Sequence, residues 1–205
     1  MAKFDISNFY IFSLVEPEFD LNKFISKLLD ENGNSCYIKS SSLRLIDIYD
    51  DVLTAEFLYS SQEFYNFIRD FDELLKKQLI EKGPMWFGDK FDTDKINNMF
   101  RSTIRLPEHL PGLPLLKFKL SDNFSIVGKD NNRYELDDLK TNMEIKIHFS
   151  IEGIEFHKNM CNVSLIVYQI NINKNLCQTM DNLFYPNSDI INDTESEIFD
   201  LIDEE

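Results

Sequence analysis

The chain has 205 residues, and 36 acidic against 21 basic side chains give it a formal net charge of −15. That length suits one domain, or one domain with appendages, and a composition of 43% hydrophobic and 13% aromatic residues can bury a real core and argues against global disorder. The sign of the charge excludes a basic nucleic-acid coat protein, and no repeat supports a collagen, solenoid or coiled-coil architecture.

Charge is unevenly spread. Residues 1–116 hold 13 basic and 19 acidic side chains, residues 117–174 hold 8 of each, and residues 175–205 hold no basic and 9 acidic ones. Only 2 Ala and 5 Arg stand against 22 Ile, 19 Asn, 18 Phe and 16 Lys, the bias of an AT-rich genome. Three cysteines at unrelated spacings, Cys36, Cys161 and Cys177, read as core residues in a reducing, intracellular compartment. The aromatic N-terminus carries Asp5 and Glu16 around a run too short for a membrane span, so no membrane partner is expected.

In chain order, FDLNKFISKLLDENGN spaces Phe19, Leu21, Phe24, Ile25, Leu28 and Leu29 near the helical period and reads as a short helix stopped at Gly33. SCYIKSSSLRLIDIYDD and VLTAEFLY read as two or three strands. The clearest element is a long amphipathic helix over 61–82. There Ser60 and Glu63 fit a capping box, Phe64, Phe67, Ile68, Phe71, Leu74, Leu75 and Leu79 form one apolar stripe, and Gly83-Pro84 ends it. Gly88 permits a turn beside Trp86 and Phe87, and a second helix runs from Thr93 to Phe100 behind an Asp92 or Thr93 cap.

Residues 106–114, with three prolines, form an extended crossing, which leaves 1–105 as a strand and helix portion. The β-rich portion covers 115–173. It contains LLKFKL, a hairpin turn at Gly128 to Asn132, the strict alternation of EIKIHFSI, then IEF and NVSLIVYQINI, the last a central strand. Such a run of short strands suits a small barrel or sandwich. Residues 174–205 read as a disordered acidic tail.

No constellation carries catalysis or a cofactor. His109, His148 and His157 lack partners at zinc-ligand spacing, and GxSxG, GxGxxG and GxxxxGK[ST] are absent. The chain is therefore expected to be non-enzymatic, with no metal. What remains is a modest basic and aromatic interleaving. Arg101, Arg105, Lys117 and Lys119 stand against Glu108 alone, with Lys146 and His148 further on and Trp86, Phe87 and Tyr134 as candidate stacking rings. A positive groove with aromatic platforms on a small barrel is how single-stranded nucleic acid is held. In the tail, Ile198, Phe199, Leu201 and Ile202 sit among carboxylates, which suits occupation of a basic groove or docking to a partner protein.

The order of segments resembles single-stranded DNA-binding proteins with an OB-like barrel encoded by nucleocytoplasmic large DNA viruses. SCYIKSSSLRL followed by a long helix and GPMWFGDKFDTDKINNMFRSTIR, then LPLLKFKL, then MEIKIHFSIEGIEFHKNMCNVSLIVYQINI carry the likeness over roughly 36–173, with Trp86, Phe87, Gly88 and Gln169 as its marker positions. The chain departs from the pattern at Lys39 to Ser42 and at Cys161-Asn162. The resemblance implies an α+β fold, a helical N-terminal half packed on a small antiparallel OB-like barrel. It also implies single-stranded DNA as partner in viral replication, recombination or repair, in the host cytoplasm, a viral replication site or the virion. Replication or virion proteins would be recruited through the tail, and a homo-oligomer is compatible with the sequence. The alternative is an acidic structural or adaptor protein that binds protein and not DNA, a reading the net charge favours.

Overall fold

The computed structural model describes residues 4–20, 23–88, 91–107, 112–129 and 131–175. In chain order its strands are β1 (Ser13–Leu14), β2 (Glu18–Asp20), β3 (Lys23–Leu29), β4 (Cys36–Lys39), β5 (Leu43–Tyr49) and β6 (Val52–Phe57). Helices α1 (Gln62–Phe87) and α2 (Thr93–Met99) follow, then β7 (Phe100–Arg101), β8 (Leu115–Val127), β9 (Arg133–Tyr134), β10 (Met143–Phe156) and β11 (Cys161–Asn175).

Five strands close on themselves. β5 pairs with β6, β6 with β8, β8 with β11 and β11 with β10, and β10 returns to β5. All of these pairings are antiparallel except β8 with β11, which is parallel. The architecture is α+β, a long helix packed on a closed OB-like barrel, as the sequence suggests. The ring draws β5 and β6 from before the helix and β8, β10 and β11 from after it, so both parts of the chain build one barrel.

Strict alternation explains β10. Ile145, Ile147, Phe149 and Ile151 point into the barrel and are buried, while Lys146 and His148 between them stay partly exposed. Helix α1 covers one end of the barrel. Phe64 packs against Phe57 at 5.8 Å and Phe149 at 6.3 Å, and Phe118 meets Phe149 from across the barrel at 5.1 Å. Along the same stripe Phe4 and Phe9 lie on Phe64, Phe67 and Phe71, so the N-terminal segment seals the part the barrel leaves uncovered. Buried Asp72 accepts from Ser102 Oγ at 2.9 Å, from the Thr103 amide at 2.8 Å and from Thr103 Oγ1, which ties the chain after β7 to the helix. Burial pushes its carboxyl upward against those donors.

Three readings of the sequence are corrected. The segment expected to be helical from Phe19 to Gly33 is the β2–β3 hairpin. Phe24, Ile25, Leu28 and Leu29 share the helical spacing, but β3 pairs with β10 from Phe24↔Phe156 to Lys27↔Gly153 and buries Ile25 and Leu28. Tertiary pairing overrides a pattern short enough to fit either period. The long helix does not stop at Gly83-Pro84. It runs on to Phe87 and ends at Gly88, whose φ of 81° suits glycine and whose amide bonds the Pro84 carbonyl at 2.9 Å. Gly83 serves packing instead, since a Cβ there would stand 2.7 Å from the Phe91 ring. Nor does Ser60 form a capping box. The helix starts after Ser61, whose hydroxyl donates to the Ser42 carbonyl and ties the helix start to the entry of β5.

The second helix is capped by Asp92, which accepts from the Lys95 amide at 2.9 Å. The hairpin at Gly128 to Asn132 closes with a Gly128 amide to Asn132 carbonyl bond of 3.0 Å. The proline-rich crossing is bracketed by paired backbone bonds of 2.8 Å each way between Arg105 and Leu115. Cys36 and Cys161 are free and buried, and burial pushes their thiols up to about 12 and about 11. Cys177 and the acidic 176–205 segment lie outside the described residues.

Gly153 is where β3 meets β10. At φ 149° a Cβ would come within 2.0 Å of the Ser26 carbonyl oxygen. Gly153→Ala is expected to cost about 3–5 kcal/mol in urea unfolding, through strain and forced displacement of β3. Gly33→Ala, also at positive φ but with open space around it, costs about 1–2 kcal/mol.

Candidate nucleic-acid interface

Strand pairing fixes which side chains share the outer face of the barrel, because directly opposed residues point the same way. Three rows cross it. One runs Arg133 (β9), Val127 (β8), Asn171 (β11), Lys146 (β10). The next runs Ser125 (β8), Gln169 (β11), His148 (β10), Lys39 (β4). The third runs Lys119 (β8), Ile166 (β11), Ser150 (β10), Tyr37 (β4). Along β10 successive rows are two residues apart, or roughly 7 Å, which is close to the phosphate step of an extended polynucleotide; between the second and third rows the register shift inserts extra residues, making the step three on β11 and six on β8.

A register shift between Val167 and Gln169 swings Tyr168 onto the same face. Its ring lies 5.6 Å from that of Tyr37, tilted by 58°, and the two are 42% and 65% exposed. Between them opens a depression of about 390 Å³, floored by Ile38 and Phe149 and edged by Lys39, His148 and Gln169. Two exposed aromatic rings beside ammonium groups suit stacking of a flat base with its phosphate held nearby.

The polar groups are incompletely satisfied. Gln169 Nε2 donates to Asn171 Oδ1 at 2.8 Å, which orients the Asn171 amide, yet Asn171 Nδ2 and His148 Nε2 are buried without a hydrogen-bond partner. Burial, and then the adjacent Lys39 ammonium, lower the imidazole of His148 from its ordinary value, so it is neutral at pH 7. Among the described residues Lys39, Lys146 and Arg133 make no ion pair, whereas Lys119 lies 3.6 Å from Asp51 with both side chains more than half exposed.

The structure therefore brings together Lys119, Lys146 and His148 of the residues singled out in the sequence, with Lys117 outward on the same β8 strand. Arg105 stands at the foot of β8 opposite Leu115. Arg101 lies elsewhere, on β7 beside Asn162, with its Nη1 bound to the Asn98 carbonyl at 2.9 Å. Trp86 and Phe87 are also remote. Phe87 packs on Phe91 at 4.7 Å and on Phe156 at 5.0 Å, eight residues along β10 from His148 and so roughly 25 Å of strand away. Trp86 sits edge-on to Phe87, with Lys82 Nζ 6.0 Å from its ring and bonded to the Leu14 carbonyl at 2.6 Å. Tyr134 opposes Ile126, a core residue, so it takes the inner side of its hairpin and Arg133 the outer.

Sequence reasoning missed Tyr37, Lys39, Arg133 and Tyr168. The first two were within reach, since CYIK alternates Cys36 and Ile38 inward with Tyr37 and Lys39 outward. Tyr168 was not, because its direction depends on the register shift.

No protein-family model matches the chain, and no curated protein matches it in sequence. Among solved structures, gp2.5 of bacteriophage T7, a single-stranded DNA binding protein, is similar with a TM-score of 0.51 over 80% of this chain and 100% of that one, at 8% identity. The single-stranded DNA-binding protein of bacteriophage Enc34, in complex with ssDNA, aligns with a TM-score of 0.46 over 79% of this chain and 96% of its own, at 14% identity. The T7 likeness is one of fold. Phe87→Ala separates the end of α1 from β10 and is expected to lower stability by about 1–3 kcal/mol in denaturant unfolding, the loss scaled to a ring that is partly exposed.

Proposed function

We propose that the chain binds single-stranded DNA, without catalysing a reaction, across the outer face formed by β4, β10, β11 and β8. The observation that supports this most is the gathering of Lys39, Lys119, Arg133, Lys146 and His148 around the exposed Tyr37 and Tyr168 rings, on a chain whose net charge is −15. Arg105 and Lys117 extend the track along the start of β8. Tyr134, on the inner side of the β8–β9 hairpin, and Trp86, Phe87 and Arg101 stand outside it. The fold shared with gp2.5 of bacteriophage T7, a single-stranded DNA binding protein, agrees with the reading.

In this reading the protein serves replication, recombination or repair of a large DNA virus in the infected cell. Its acidic end, with Ile198, Phe199, Leu201 and Ile202, competes with DNA for the basic face or recruits a partner protein. The adaptor reading draws on one observation of its own, the exposed Phe19 and Phe24 rings, tilted against each other with centroids 5.1 Å apart on the β2–β3 hairpin.

Titration of labelled oligo-dT against the full chain and the 1–187 truncation at low and high salt decides between them. Tighter, salt-sensitive binding by the truncation is expected. About four phosphate contacts give a slope of about −3 in log affinity against log salt, at roughly −0.7 per contact on single strands. Tyr168→Ala and Tyr37→Ala each weaken binding by about 1–3 kcal/mol. Selective excitation of Trp86 shows unchanged emission when the oligonucleotide binds. Absence of binding by both forms at low salt would select the adaptor reading.

A further inference from the structure

Resting on the single-stranded DNA reading, we propose that Lys39, Lys146, His148 and Asn171 form one phosphate-anchoring subsite, and that His148 takes up a proton as the phosphate arrives. Lys39 is directly opposite His148 across β4 and β10, and Lys146 is two residues back on the same face, so both ammonium groups and the imidazole reach one anion. Asn171 is directly opposite Lys146 on β11.

Two features mark the group as built for an anion. The first is the pair of buried nitrogens without hydrogen-bond partners, His148 Nε2 and Asn171 Nδ2. An unpaired buried polar group costs about 1–3 kcal/mol, and an anion seated on these rows supplies the acceptor that Asn171 Nδ2 lacks and that His148 Nε2 needs once it is protonated. Asn171 is already aimed by its bond from Gln169. A neutral imidazole donates from one nitrogen only, whereas the imidazolium donates from both.

The second is the sign of the surroundings. Facing His148 are Lys39 and Tyr37 from β4, Gln169 and Tyr168 from β11, Ser125 and Lys119 from the β8 side of its own and the next row, and Lys146 and Ser150 on its own strand. The carboxylates nearest along β10 are Glu144 and Glu152, four residues to either side. Glu144 is in register with Arg44 and accepts from Asn173, and Glu152 accepts from Ser164. With cations on both flanks and those carboxylates engaged elsewhere, the ring stays neutral in the free protein. A phosphate supplies the missing negative charge and favours the imidazolium.

The linkage has a definite sign. Binding raises the imidazole value from a lowered starting point, so protons are taken up between the free and bound values. Affinity then climbs as pH falls through the bound value and levels off below the free one. A one-unit rise on binding corresponds to up to about tenfold in affinity.

The test follows the His148 imidazole by NMR on the full chain with and without oligo-dT, its signal identified with His148→Gln, together with affinities from about pH 7.5 to about pH 5.5 at fixed ionic strength. The expected result is an upward move of the His148 midpoint by about one unit on binding, and an acid-side gain of several-fold that His148→Gln loses. Asn171→Ala should weaken binding while keeping that pH dependence. If the oligonucleotide binds with the His148 midpoint unmoved and with the same pH profile in His148→Gln, the subsite is wrong and the DNA reading stands. If no oligonucleotide binds at any pH, both fall.

Discussion

Everything in this molecule leans on the period-two alternation of β10. Its inward residues Ile145, Ile147, Phe149 and Ile151 are the middle of the barrel core, and its outward residues Lys146, His148 and Ser150 are the middle of the basic face. Along one edge the strand pairs with β11 for its whole length. Along the other it meets β5, β4 and β3 in succession. A slip of one residue would exchange core for surface on every one of these partners, so burial of four large apolar side chains also sets the position of the cations.

That coupling decides what was legible in the sequence. EIKIHFSI announces its own faces, and the stripe from Phe64 to Leu79 announces a core helix, because each pattern is long and unbroken. The hairpin at Gly128 is marked by its turn residues. FDLNKFISKLL is not legible in the same way, since six apolar residues near the helical period over so short a span also fit strands, and the choice is made by the bare backbone of Gly153 far along the chain. Gly83-Pro84 misleads for a related reason. A glycine demanded by the approach of Phe91 looks the same in sequence as a glycine that ends a helix.

The candidate site was half legible. Lys119, Lys146 and His148 stand out in the sequence by their chemistry, but their meeting with Tyr37 and Lys39 needs the register of β4 on β10, and the outward turn of Tyr168 needs the offset in β11. Trp86, the residue most readily noticed, is part of the joint between helix and barrel. Charge reads similarly. A total of −15 describes the whole molecule, and the rows show that a locally cationic surface fits within it, since residues 117–174 are balanced and residues 175–205 hold 9 acidic side chains and no basic one.

The parallel pairing of β8 with β11 has a consequence for how the protein is made. The ring is complete only when β11 lies against both β10 and β8, and β11 ends at Asn175, the last described residue. During synthesis the strands made earlier must wait with two unpaired edges until that segment leaves the ribosome. Closure is thus a late, non-local event of the kind that folds on the millisecond-to-second scale. A chain stopped short of β11 would present the open edges of β8 and β10 together, an arrangement that invites aggregation.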